Sequence, residues 1–262
     1  MIRSPLRRAS TVILLRDGDE GIEVLLLQRH RRSPFLPDAW VFPGGRLDDT
    51  DALESDRVIG DVRVPMMDAA ACRAYAVAGI RETYEESGIW IGDDSLGADA
   101  RSALAERPEA FEDWMRANDV HVNMSLLRPW TRWVTPDSEP RRYDTVFFVA
   151  RFERDWSPAQ HDATETVDSG WFSPHTVIAQ TIRSFPLAPP TWWVLVELSR
   201  YATVDEVMTS TARHCLPVQP ILSFGEDGMD VVLPGHPLHP DGPLEGHPVC
   251  IEMREGGWCV AG

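Results

Sequence analysis

Long apolar runs, paired cysteines and an excess of positive charge are all missing from this 262-residue chain. No stretch of about 18 apolar residues occurs, which leaves no candidate for a membrane-crossing helix. The N-terminus lacks the apolar core of a secretory signal. The four cysteines, Cys72, Cys215, Cys250 and Cys259, stand far apart without CxxC spacing. They read as reduced thiols rather than a disulfide framework, and the cytoplasm is the expected compartment. A formal net charge of −16 argues against nucleic acid or an anionic membrane as a standing partner, because both would repel it. Internal repeats and long linkers are missing too, so residues 1–262 read as a single domain. With 43% hydrophobic residues, the chain can bury a sizeable core and is expected to be a soluble globule.

What the sequence does contain is concentrated in Arg81-Glu82-Thr83-Tyr84-Glu85-Glu86-Ser87-Gly88-Ile89 and, upstream, Phe42-Pro43-Gly44-Gly45. Residues 69–78 favour helix, Asp68 can cap its start and Gly88 can end it. On that helix Glu82, Glu85 and Glu86 fall at i, i+3 and i+4, so three carboxylates share one face. Like charges at this spacing repel by a few tenths of a kcal/mol per pair, a strain that a hard cation turns into attraction. Carboxylates with room for water and phosphate suit Mg²⁺. Arg81 stands four residues before Glu85, where it can hold a carboxylate, and Gly44-Gly45 permits a tight loop beside them. A solvated acidic helix face is the plainer reading of the glutamates alone.

The order glycine, then Arg-Glu-x-x-Glu-Glu-x-Gly-Ile, resembles the GX5EX7REUXEEXGU signature of the Nudix hydrolases. From Arg81 to Ile89 the match departs only at Thr83, where the pattern has an aliphatic residue. Gly45 and Arg81 are 36 positions apart, against 14 in the pattern, an excess of 22. The pattern's first glutamate is open among Asp48, Asp49, Asp51 and Asp68. Leu25 to Arg29, leading through Phe35-Leu36-Pro37 to Val41 and Gly45, is similar to the Nudix subgroup that includes the peroxisomal coenzyme A diphosphatase of animals, whose box is also interrupted. The same stretch partly resembles a coenzyme A motif, with Pro37-Asp38-Ala39 where that motif has a glycine.

The rest of the chain can be placed around that stretch. Residues 9–15 and 22–27 read as strands joined by the turn at 17–21. Arg29 to Arg32 forms a basic run suited either to phosphate or to an ordinary surface loop. Residues 46–67 form an acidic insertion, read as a solvated loop in preference to a second metal site. Ile89-Trp90-Ile91 reads as a short strand. Residues 96–118 read as a helical addition with an apolar face of Leu104, Phe111, Trp114 and Met115, offering a pocket wall or a homodimer contact. Strands are expected at 127–134 and 145–152, with Arg141-Arg142 in the loop between them as a phosphate contact or a solvated pair. From 187 onward a helical and hairpin extension follows, with helices at 192–201 and 204–213 and a hairpin turning at 225–228. His236, His239 and His247 lie in a Pro/Gly-rich loop without regular zinc-ligand spacing.

The resemblance implies an α/β/α sandwich with a mixed sheet, enlarged by the additions. It implies hydrolysis of a pyrophosphate bond in a nucleoside diphosphate derivative, coenzyme A or acyl-coenzyme A first, and ADP-ribose-like or NADH-like compounds second. Mg²⁺ or Mn²⁺ would be held by Glu82, Glu85 and Glu86 with a Gly44 carbonyl. Arg81 would orient the glutamates, Glu165 or a box glutamate would take the proton of water, and Arg29, Arg32 and Arg141 would bind substrate phosphates. A Nudix-like nucleotide sensor without turnover and, more remotely, an isomerase on the same scaffold are the competing classes.

Overall fold

The computed structural model describes residues 5–33, 36–52, 54, 56–92, 96, 100–101, 103–104, 111–152, 166–180, 184–210, 215–225 and 228–261. It opens with a hairpin of β1 (Leu6–Gly18) and β2 (Gly21–Arg29), whose turn uses Gly21 at a φ of 116°. The two strands pair only near that turn, from Leu15 opposite Val24 to Gly18 opposite Gly21. Beyond it they splay, and β3 (Trp40–Val41) and β4 (Gly44–Arg46) fill the opening. β3 pairs with the end of β2, and β4 pairs with Ala9 to Thr11 of β1. Val12 N–H donates to the Pro43 carbonyl at 2.9 Å, and Arg29 N–H donates to that of Ala39 at 2.9 Å. The Phe42-Pro43-Gly44-Gly45 stretch is therefore wedged into the open end of the sheet.

After a short strand, β5 (Val58–Ile59), comes α1 (Ala69–Ser87), then α2 (Phe111–Ala117), β6 (Val122–Asn123), β7 (Arg128–Val134), β8 (Arg142–Arg151) and β9 (Thr166–Phe172). Three helices follow, α3 (Pro174–Ile178), α4 (Pro189–Leu198) and α5 (Val204–Thr209). The main sheet runs β10-β7-β8-β1-β2-β3, with β10 at Pro217–Val218, and β4 and β9 pair with β1 and β2. It is mixed, because β8 lies parallel to β1 and β10 parallel to β7, while the other pairs are antiparallel. A second, antiparallel sheet of β11 (Ile221–Gly225), β12 (Gly228–Val232), β13 (Cys250–Arg254) and β14 (Gly257–Val260) ends the chain.

Side-chain alternation sorts the apolar residues of the central strands onto two faces. Val12, Leu14, Leu25, Leu27 and Phe148 pack with α1 and α2. Ile13, Leu15, Val24, Leu26, Phe147 and Val149 pack with α4 and with Val231 and Ile251 of the terminal sheet. The result is the layered α/β arrangement implied by the sequence. Among the described residues no helix is long and apolar enough to cross a membrane.

Helix α1 forms where its caps allow. The Asp68 carboxylate accepts from Ala71 N–H at 2.7 Å, and Gly88, at a φ of 75°, donates its N–H to the Tyr84 carbonyl at 2.8 Å. This is the Asp cap and the left-handed Gly stop read from sequence. Gly79 lets the helix lie close on β1, since a Cβ there would stand 2.7 Å from Ser10 Oγ. Thr83 is fully buried where the pattern asks for an aliphatic residue, and its hydroxyl is satisfied by the Gly79 carbonyl at 2.7 Å. The hydroxyl thus enters the core at little cost.

Several expectations need correction. Ile89-Trp90-Ile91 is not a strand but a buried irregular segment, with Trp90 edge-on to Tyr84 at 5.6 Å. Residues 46–67 are not simply a solvated loop: Val62 and Val64 are buried, and Val58 pairs with Val122. Its acids meet arginines, Asp56 with Arg116 at 2.7 Å and Glu54 with Arg73 at 3.4 Å, while Arg57 reaches Asp119 at 2.7 Å. The insertion and the α2 region are stitched together. Leu104, Phe111, Trp114 and Met115 bury their apolar face in the α1 side of the core.

Candidate active site

Arg81 is the hub from which the site is built. Its side chain leaves α1 into a fully buried position, 1% exposed, and its guanidinium is shared among four acceptor groups. Nε and Nη2 each donate to Asp51 at 3.0 Å, Nη2 also donates to the Arg46 carbonyl at 3.1 Å, and Nη1 donates to Glu82 at 3.0 Å and Glu85 at 3.1 Å. Asp48 lies 3.5 Å away. A planar fork of fixed donors suits this distribution, whereas an ammonium would not span it. Burial alone would lower the arginine's pKa, but the Asp51 hydrogen bonds and the charges of Glu82, Asp51 and Glu85 raise it, so the guanidinium stays charged.

Asp51 is the residue that sequence reasoning left open. It sits in a short 3-10 turn, Asp49–Ala52, with no solvent exposure, and its Oδ2 also accepts from Asp48 N–H at 2.7 Å. The signal was present: Asp51 follows Gly45 by six positions, the spacing of GX5E, with aspartate in place of glutamate. The inserted residues therefore fall after it. Asp68 is the helix cap, which removes it from the candidates.

Two glycines bring the loop against the helix. A Cβ on Gly44, whose φ is 155°, would strike the backbone of Ser10, and one on Gly45 would strike the Glu82 carboxylate. Gly44 N–H donates to Glu86 Oε2 at 2.9 Å. At the far end of the helix, Arg101 Nη2 donates to the carbonyls of Glu85 and Glu86, both at 2.8 Å, and Nε donates to Glu85 at 3.0 Å. A cation there complements the helix terminus and fixes the turn that carries both glutamates.

The carboxylates sit in an unusually poor environment for negative charge. Burial pushes the Glu82 carboxyl up to about 7; Arg81 opposes the shift and Glu85 adds to it. Glu85 is also raised, by burial first, against the pull of Arg81. Glu85 Oε1 is buried with no hydrogen-bond partner among the described residues. An orphaned buried carboxylate oxygen is costly, and a cation or the water around one would satisfy it. No three His, Cys, Asp or Glu side chains among the described residues are gathered into a ready cage. Such a donor set fits a hard cation that divides its coordination between protein carboxylates and the oxygens of water and phosphate.

The other face of the wedge opens on a pocket of about 380 Å³. Gly44, whose N–H donates to Glu86, belongs to its lining. Thr11, Phe42, Trp133, Phe147 and the start of α4 supply one side, and Leu222, Met229 and Val231 of the terminal hairpin the other. Arg29 belongs to the lining, held by Ser33 Oγ at 2.9 Å and 3.1 Å from Nη2 and Nε. Arg32 and Arg141 are exposed and outside this lining. Arg142 is instead buried and paired with Asp137 at 2.6 Å. No described residue of 96–118 belongs to the lining. Glu165 lies outside the described residues. The loop histidines have local tasks: His236 Nδ1 accepts from Leu238 N–H at 3.1 Å, His239 Nε2 lies 2.9 Å from the Gln219 carbonyl, and His247 meets the Trp133 ring edge-on at 6.3 Å.

Comparison with known proteins gives a consistent picture. The family model of the NUDT19 Nudix domain matches residues 68–200, half of the chain. Acyl-coenzyme A diphosphatase NUDT19 of Xenopus laevis is 27% identical over 84% of this chain and 72% of its own length. The human protein of the same name is 25% identical over 84% and 73%. Among solved structures, a NUDIX hydrolase from Alicyclobacillus acidocaldarius is 31% identical with a TM-score of 0.71, covering 79% of this chain and 97% of that one.

Proposed function

The chain belongs to the Nudix hydrolase family, and from that premise we propose that it hydrolyses the diphosphate bond of coenzyme A or an acyl-coenzyme A, using Mg²⁺ or Mn²⁺. The observation that carries the metal-dependent reading is the Arg81 hub, which holds Glu82 and Glu85 beside the Gly44-Gly45 turn and leaves Glu85 Oε1 unpartnered. The names of the curated relatives carry the choice of coenzyme A.

Glu82, Glu85 and Glu86, with a carbonyl of the Gly44 turn, would hold the divalent ion. When bound, such an ion neutralises the diphosphate and lowers the pKa of a coordinated water. The chain's own groups do the rest. Arg81 and Asp51 lock the carboxylates in place, so that little reorganisation is needed as charge builds on the phosphoryl oxygens. Water adds to one phosphorus, the bridging P–O bond breaks, and a carboxylate accepts the proton that water gives up. A box glutamate or Glu165 takes that proton. Arg29, in the pocket lining, would meet a substrate phosphate.

The test is a turnover screen of purified protein with Mg²⁺ or Mn²⁺ on coenzyme A, octanoyl-coenzyme A, NADH, ADP-ribose and dinucleoside polyphosphates, with products identified by mass. Adenosine 3′,5′-bisphosphate plus a 4′-phosphopantetheine fragment is the expected outcome. Selective cleavage of ADP-ribose or NADH would move the assignment to that substrate class, and an intact panel would overturn the enzyme reading of the site.

A further inference from the structure

We infer that the terminal hairpin β11–β12 is a specificity element, forming the apolar wall against which the acyl chain of an acyl-coenzyme A lies. The inference rests on the coenzyme A reading above and adds which arm of the substrate enters the 380 Å³ pocket and which residues select it.

The pocket and the proposed metal site share Gly44, which lines the one and donates its N–H to Glu86 of the other. Among the described residues its charged lining consists of Arg29 and Glu139, one of each sign. A cavity with no net positive charge is poorly built for a nucleoside carrying a further phosphate, whereas an uncharged arm enters it freely. The remaining walls suit such an arm: Trp133, Phe147, Pro190, Leu222 and Met229 present aromatic and aliphatic surface. The volume lies within the range of ligand sites, which are mostly apolar with a few placed polar groups. Trp133 keeps a buried indole N–H without an acceptor among the described residues. A thioester or amide carbonyl would supply one.

The hairpin register adds an independent observation. Leu222 pairs with Val231 and Phe224 with Met229, and residues two apart on each strand share a face, so all four side chains point the same way. Three of them line the pocket, and the fourth, Phe224, continues that face into solvent with 74% exposure. An exposed aromatic at the open end of an apolar wall is surface that a chain longer than the cavity can cover. The hairpin lies beyond residues 68–200, the part matched by the family model.

Hydrolysis of free coenzyme A and octanoyl-coenzyme A is compared for wild type, Met229→Trp, which fills the pocket, and Phe224→Ser, whose exposed position leaves the fold untouched. Met229→Trp is expected to lower kcat/KM for octanoyl-coenzyme A at least tenfold more than it lowers the value for free coenzyme A. Phe224→Ser should lower only the octanoyl value, about threefold. Retained cleavage of free coenzyme A reports a folded enzyme in each case. A parallel loss on both substrates, or no change on either, would overturn the inference while the diphosphatase reading stands. Failure of the wild type on both compounds would remove that reading and the inference together.

Discussion

Arg81 and Asp51, thirty positions apart in sequence, are joined by two hydrogen bonds of 3.0 Å with both side chains shut off from solvent. This pair ties the loop that carries Gly44 and Gly45 to the helix that carries the glutamates. Breaking one side of a buried pair leaves the other charge uncompensated, at a cost of about 3–5 kcal/mol. Asp51→Ala is therefore expected to lower Tm by roughly 6–12 °C or more and to abolish turnover, whereas Asp51→Glu, which restores the family residue, keeps most of both. Thermal melts and steady-state kinetics on the two variants check this.

Gly45 is required for close approach rather than for its backbone angle, since a Cβ there would meet the Glu82 carboxylate. Gly45→Ala should lower kcat at least tenfold with a smaller effect on Tm, because the displaced group is a side-chain end at the rim of the core. Equal kcat in the variant would mean that Glu82 does not need its present position.

The raised carboxyl pKa values make stability depend on pH and metal. Glu82 rises from 4.5 unfolded to about 7 folded, so the folded state binds the extra proton. Its contribution is present in full below pH 4.5 and is lost as pH climbs through 7. Each unit corresponds to about 1.4 kcal/mol. Protein stripped with a chelator should thus melt at falling temperature between pH 5 and 8. Added Mn²⁺ competes with the proton, so it should raise Tm more at pH 8 than at pH 5.5. Scanning calorimetry across that range reads both slopes, and a metal effect larger at the acidic end would contradict the assignment.

The cysteines give a check on the core. Cys259 is exposed, while Cys72, Cys215 and Cys250 are buried, and burial pushes the Cys215 thiol up to about 12. One thiol should react with a thiol reagent at pH 8 in the native protein, and four after denaturation. A second fast-reacting thiol would contradict the packing around Cys215.

Much of this was legible before the fold. Asp68 and Gly88 announced both ends of α1 through local chemistry, and the i, i+4 spacing announced the Arg81–Glu85 pair. The hairpin of β1 and β2 showed in its β-branched runs around a Gly turn. Asp51 was obscured because it is an aspartate and because the inserted residues separate it from Arg81, although its distance from Gly45 obeys the pattern. Ile89 to Ile91 misled because three apolar residues carry no period that separates a strand from buried coil. The pairing of β12 with β13 spans a Pro/Gly-rich loop, and a contact of that kind leaves no local mark, whereas the β11–β12 hairpin showed in its turn.

The most direct measurement is the rate of coenzyme A cleavage by Glu85→Gln in Mn²⁺, made on protein whose Tm lies near that of the wild type. The substitution keeps shape and removes the charge beside the orphaned oxygen. A fall in kcat/KM of a hundredfold or more, with weaker Mn²⁺ binding by calorimetry, is the expected result. Wild-type turnover with unchanged Mn²⁺ affinity would show that the glutamates held by Arg81 are not where the ion and the diphosphate meet.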